Sequence, residues 1–183
     1  MRIETRPGKF LRTRPLVPGA LLLAFLLVSS LWVRSYFCAE ARVRRATAKL
    51  VRLAEKSGPE APVALGLSAN RLGGYLSTNA VLELEGYGPL ATGRKEIVQF
   101  YAQVRNELDR MEFAEPRIDA VVLRRGAANS FVEARCRFVH EAGAAWEGGG
   151  RATLLWSKGD EGWRISRAVL RPDDPAALPT GWP

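Results

Sequence analysis

The ten residues Phe131-Val132-Glu133-Ala134-Arg135-Cys136-Arg137-Phe138-Val139-His140 decide the fold class. Val132, Ala134, Cys136, Phe138 and His140 fall on one side of an extended chain, and Glu133, Arg135 and Arg137 on the other. A period of two is that of a strand with one buried face. The same period holds on both sides of it. Ile118 to Leu123 is a strand ended by Arg124-Arg125-Gly126, and Arg151 to Ser157 is another, with Ala152, Leu154 and Trp156 on one side. Lys158-Gly159-Asp160-Glu161-Gly162 turns tightly into a last strand, Trp163 to Leu170. Between them, residues 141–150 with Gly148-Gly149-Gly150 read as a flexible loop, since no strand-loop-helix frame for cradling phosphate surrounds them.

Before residue 112 the period is mostly 3.6. Val43, Ala46, Thr47, Leu50, Val51, Leu53 and Ala54 recur at three- and four-residue spacing, with arginines and Lys49 opposite; Ser57-Gly58-Pro59 ends this amphipathic helix. A second helix is expected from Pro62 to Leu76, and Val81 to Glu85 alternates as a short strand before the turn Gly86-Tyr87-Gly88-Pro89. Ile97, Phe100, Tyr101, Val104, Leu108 and Met111 form the clearest helical stripe, started at Thr92-Gly93 with Glu96 in its first turn. Helices gathered first and antiparallel strands last signify α+β: three helices packed on a curved, mostly antiparallel sheet that wraps them as a cone.

Charge is distributed unevenly over the 183 residues. Residues 1–15 carry five bases against one acid, residues 16–33 carry no charge, and residues 34–56 carry seven bases against two acids. Residues 57–183 hold 15 bases and 16 acids, so the formal +8 sits wholly beside the apolar segment. This argues against a nucleic-acid-binding domain, which needs its basic patch on the folded body. Pro15 to Val33 is long enough to cross a bilayer. Trp32 and Tyr36 stand where interfacial aromatics do, and no small-x-small cleavage site follows. The expected division is a basic tail over 1–15, a transmembrane helix over 16–36, a domain over 37–172 and a Pro-rich tail over 173–183. The tail is expected in the cytoplasm and the domain outside it, in the periplasm of a bacterium, with membrane lipid as one partner. Both flanks are basic, so charge alone leaves the orientation nearly tied.

Candidate chemistry is sparse. Cys38 and Cys136 are too few and too far apart for a zinc site or disulfide framework, and one histidine cannot build a metal constellation. No catalytic residue, metal ligand or cofactor site is assigned. Strand parity does suggest a pocket. If 141–150 joins antiparallel neighbours, Phe138 and His140 point into the same cone as Leu154 and Trp156, with Phe100 and Tyr101 covering it. These aromatics either line a cavity for a hydrophobic molecule or fill it as core.

Residues 41–171 resemble the SnoaL-like branch of the nuclear transport factor 2 superfamily. The resemblance is carried by Leu76-Ser77-Thr78-Asn79-Ala80-Val81-Leu82-Glu83-Leu84, by Gly88-Pro89-Leu90-Ala91-Thr92-Gly93-Arg94-Lys95-Glu96-Ile97 and by Gly162-Trp163-Arg164-Ile165. It implies the cone fold, which serves isomerases, cyclases, dehydratases, transport factors and modules without catalysis. The acid and tyrosine constellation of the ketosteroid isomerase members has no counterpart here, and Asp119 is the one acid well placed inside a strand. Two readings follow. One is a membrane-tethered binding or assembly module, which pairs with a second copy or an assembly partner through the face bearing Phe131, Glu133, Arg135 and Arg137. The other is a small-molecule enzyme of isomerase, cyclase or dehydratase type, acting on a hydrophobic substrate in the cone.

Overall fold

The structure, a computed structural model, describes residues 38–140 and 143–174. The expected basic tail and apolar helix fall on residues 1–36, outside the described residues, and so does most of the Pro-rich tail. Among the described residues no helix is long and apolar enough to cross a membrane.

Helix α1 is described over 38–54. It is followed by α2 (Pro62–Gly73), β1 (Leu76–Leu84), β2 (Gly88–Thr92), α3 (Arg94–Glu107), β3 (Leu108–Arg124), β4 (Ala127–His140), β5 (Ala145–Gly159) and β6 (Gly162–Pro172). The strands form one six-stranded sheet in the order β2-β1-β6-β5-β4-β3. Only β1 and β6 run parallel; every other neighbouring pair is antiparallel. Three helices on a mixed, curved six-stranded sheet are the α+β architecture.

The expected stripe of α1 is the one that packs. Val43, Thr47 and Leu50 are buried, spaced four and three apart. Thr47 Oγ1 lies 2.8 Å from Ser130 Oγ on β4, and Ser130 Oγ also accepts the indole N–H of Trp156 at 2.9 Å. Trp156, 2% exposed, is the largest fully buried side chain and sits among Val43, Leu50, Ile97, Val122, Leu154 and Ile165. Burying so large a ring is the dominant single apolar contribution, and its one polar atom is satisfied. A smaller cluster, Val104, Leu108 and Met111 with Phe100 and Phe138, continues the core along the sheet. Both clusters and all six strands lie within residues 38–174.

Four sequence expectations need correction. First, Leu108 and Met111 do not continue α3. The helix ends at Glu107, and Leu108 is already extended at φ −104°, ψ 126°. A bulge between Leu108 and Arg110 adds a residue to β3, so a spacing of three brings both side chains to the same face and imitates a helical stripe. A second bulge, between Ala114 and Arg117, holds Glu115 at φ 50° and accommodates Pro116 on an edge strand. It shifts the inward parity from Met111 and Phe113 to Ile118, Ala120 and Val122.

Second, Gly88 to Thr92 is a strand, paired with β1, where only a turn and helix start were expected. Its end is set by Gly93, whose φ of 88° suits glycine and whose N–H donates to Ala80 O at 2.7 Å. The Glu96 carboxylate accepts the Thr92 N–H at 3.0 Å and fixes the start of α3. Third, α2 ends at Gly73, short of Leu76, which opens β1 and is buried there.

Fourth, Gly148-Gly149-Gly150 is no loop. These residues pair with Cys136, Arg135 and Ala134 inside β5. Absent side chains make room for neighbours: a Cβ on Gly148 would come within 2.5 Å of the Trp146 ring, and one on Gly149 would fall on the Asp173 carboxylate. Glycine here marks close packing against a strand.

Candidate functional site

The six expected pocket residues are divided between separate places. Antiparallel register sets Phe138 opposite Trp146, whereas Leu154 and Trp156 stand opposite Ser130 and Ala128. All four side chains share the helix-covered face. Yet Phe138 and Ser130 are eight residues apart on β4, about 27 Å at 3.4 Å per residue. Phe138 stacks on Trp146 at 5.3 Å and meets Phe113 edge-on at 6.0 Å. His140 ends β4 on the exposed rim, opposite Leu108, with its N–H donating to Ala144 O at 2.8 Å. Leu154 and Trp156 are core.

Phe100 packs against both apolar clusters. Tyr101 is one residue, hence about 100°, further round α3 and points elsewhere. Its hydroxyl donates to Leu53 O at 2.8 Å, at the end of α1. There it belongs to a buried polar cluster that the periodicity reading missed. Arg105, 4% exposed, donates from Nε to Glu60 Oε2 at 2.6 Å and from Nη2 to Glu60 Oε1 at 2.7 Å. Its remaining N–H groups reach Leu53 O, Ala54 O, Glu55 O and the Tyr101 hydroxyl at 2.9 to 3.1 Å. The one available signal was a charged residue four after Tyr101 and eight after Ile97, inside the apolar stripe.

This cluster is saturated. Hydrogen bonding to Arg105 holds the Glu60 carboxyl below its usual 4.5, and the same bond raises Arg105 above its ordinary value. Burial pushes the Tyr101 phenol up. Each group is thus fixed further into the protonation state it already has at neutral pH, the opposite of a general acid or base poised to exchange a proton. Cys136 is likewise unsuited to attack. Burial, then the charge of Asp173, pushes its thiol up to about 11. Among the described residues no group of three His, Cys, Asp or Glu could hold a metal ion.

The remaining candidate is the face of the sheet turned away from the helices. Two clefts of about 600 and 720 Å³ lie on it and share Arg117 and Glu133. Ion pairs knit much of this face: Arg167 with Glu83 at 2.7 Å, Arg137 with Glu147 at 2.9 Å, Arg171 with Glu85, and Arg151 between Glu133 and Asp173. Among the described residues Arg117, Arg135 and Asp119 have no such partner, and all three are exposed. Beside them Phe131 is 44% exposed, opposite Asp119 on β3 and Thr153 on β5, with Val121 and Leu123 also exposed further along β3.

No family model matches this chain, and no curated protein does. Solved structures match it. A nuclear transport factor 2-like superfamily protein from Salmonella enterica aligns over 79% of this chain and 97% of its own length, at TM-score 0.59 and 14% identity. An NTF2-like, cystatin-like-fold protein from Novosphingobium aromaticivorans aligns over 84% and 95%, at 0.52 and 15%. The fold is NTF2-like. An NTF2-like protein of unknown function from Pseudomonas putida agrees, over 74% and 87% at 0.53 and 12% identity. Sequence identity this low carries the NTF2-like architecture and no activity.

Proposed function

We propose that this NTF2-like domain is a membrane-tethered, extracytoplasmic binding or assembly module that works through the open face of its sheet. Residues 16–36 serve as its anchor, with the N-terminal tail in the cytoplasm. The occupant of the open face is a second copy of the chain. The observation that carries the reading is the contrast between the two faces. Trp156 and its neighbours pack as apolar core on the helix-covered side. The other side presents two clefts, an exposed phenylalanine, and Arg117, Arg135 and Asp119, which have no ion-pair partner among the described residues. Bases and an acid on one patch let two copies pair isologously, the Asp119 carboxylate of each meeting an arginine of the partner around an apolar centre.

Two experiments test the two halves. Alkaline carbonate extraction of membranes carrying the full chain should leave it in the pellet, and recovery in the wash removes the anchor. Sedimentation of residues 38–183 should give a dimer that Phe131→Asp converts to a folded monomer; a wild-type monomer removes the pairing.

A further inference from the structure

Helix α1 turns a row of uncompensated positive charge away from the core. Its buried side is Val43, Thr47 and Leu50. At 100° per residue Arg42, Arg45, Lys49 and Arg52 fall on the opposite side, and all four are exposed. The row is about 15 Å long and contains no acid. Among the described residues none of the four makes an ion pair; Arg45 donates to the carbonyl of Ala41 on its own helix. Like charges three and four apart on a helix repel one another. The sheet of this same protein pairs most of its exposed arginines, so α1 retains a repulsion that the fold relieves elsewhere. An anionic surface relieves it.

Position along the chain narrows the choice of surface. Arg42 lies nine residues after Val33, the last of the uncharged stretch, and nine residues span at most about 32 Å even when fully extended. On the reading that 16–36 crosses a bilayer, the row is therefore confined near the headgroups, where tethering makes even weak attraction effective. We propose that α1 lies along an anionic bilayer surface, with Arg42, Arg45, Lys49 and Arg52 against lipid phosphates. The opposite side of α1 packs on the sheet through Thr47 and Ser130.

The test is co-sedimentation of residues 38–183, which retain both core clusters, with phosphatidylcholine vesicles containing or lacking phosphatidylglycerol. Binding is expected only to the anionic vesicles, and salt should weaken it. Each base near such a surface contributes about fivefold in partitioning. Lys49→Gln/Arg52→Gln and Arg42→Gln/Lys49→Gln should each lower it by about 25-fold, and Arg124→Gln/Arg125→Gln, exposed at the end of β3 on the sheet, should change it little. Absent binding, or equal loss from the sheet pair, overturns the proposal. So does tighter binding to duplex DNA at equal phosphate concentration. Residues 1–37 take no part, so failure of the anchor in carbonate extraction and failure of α1 docking are read independently.

Discussion

Lys56 and Arg105 cap each other's helices. The Arg105 guanidinium, near the end of α3, takes the last carbonyls of α1 at Leu53, Ala54 and Glu55, while the Lys56 ammonium, just after α1, donates to Arg105 O at 2.8 Å and to Leu108 O. Both cations are buried, 7% and 4% exposed, and each meets the negative end of a helix dipole. Lys56 also pairs its backbone with Met111 in both directions, at 2.9 Å, so the junction of α1 and α2 is tied to β3.

Breaking this lock should be expensive. Arg105→Ala takes the donor from Glu60 and from the Ala54 and Glu55 carbonyls and leaves Leu53 O with the Tyr101 hydroxyl alone, and a loss of about 3–5 kcal/mol in urea unfolding is expected. Arg105→Lys should recover little of it, because one ammonium cannot replace a forked donor that reaches Glu60 and the carbonyls together.

The same cluster fixes a pH dependence. Glu60 has a folded pKa below its ordinary 4.5 because Arg105 donates to its carboxylate. Its contribution is therefore complete above the unfolded value and is lost as pH falls through the folded one. The stability difference between wild type and Glu60→Gln should be constant from neutral pH down to about 5 and shrink below about 4.5. A difference that grows on acidification contradicts the assignment.

Trp156→Ala should destabilise by about 3–5 kcal/mol, since it opens a cavity under α1 and removes the indole donor from Ser130. His140→Ala, at the exposed rim, should change stability by less than about 1 kcal/mol. Chemical denaturation of the two variants reads the contrast, and a mild Trp156→Ala would restore the open-cavity reading of the cone.

Gly148→Ala and Gly149→Ala should separate, although they are neighbours. A methyl at Gly148 meets the Trp146 ring, which is held by stacking on Phe138, and a cost of about 1–3 kcal/mol is expected. A methyl at Gly149 meets Asp173, an exposed side chain that can swing aside, so the cost should be smaller. Thermal melts of the two single variants check the order.

Sequence period was a reliable guide to which face a residue takes and a poor guide to where along the strand it sits. Val132, Ala134, Phe138, Leu154 and Trp156 do share the helix-covered side. The register that separates Phe138 from Trp156 depends on where β5 begins, and Gly148-Gly149-Gly150 concealed six further residues of strand. Bulges did the same on β3, giving Leu108 and Met111 the spacing of a helix. The open sheet face was legible in part, because the alternation already set Phe131, Glu133, Arg135 and Arg137 together. Its cross-strand ion pairs were not, since Arg151, Arg167 and Arg171 meet acids far away in sequence. Arg105 was hidden because a charge inside an apolar stripe shows its burial only once Glu60 and the end of α1 are in place.

Native mass spectrometry of residues 38–183, beside Phe131→Asp, tests the binding-module account most directly, because subunit number and any retained small molecule are read together. The account predicts a dimer without small-molecule cargo, reduced to a monomer with unchanged circular dichroism by Phe131→Asp. A monomer that carries a hydrophobic small molecule and is indifferent to Phe131→Asp would contradict it.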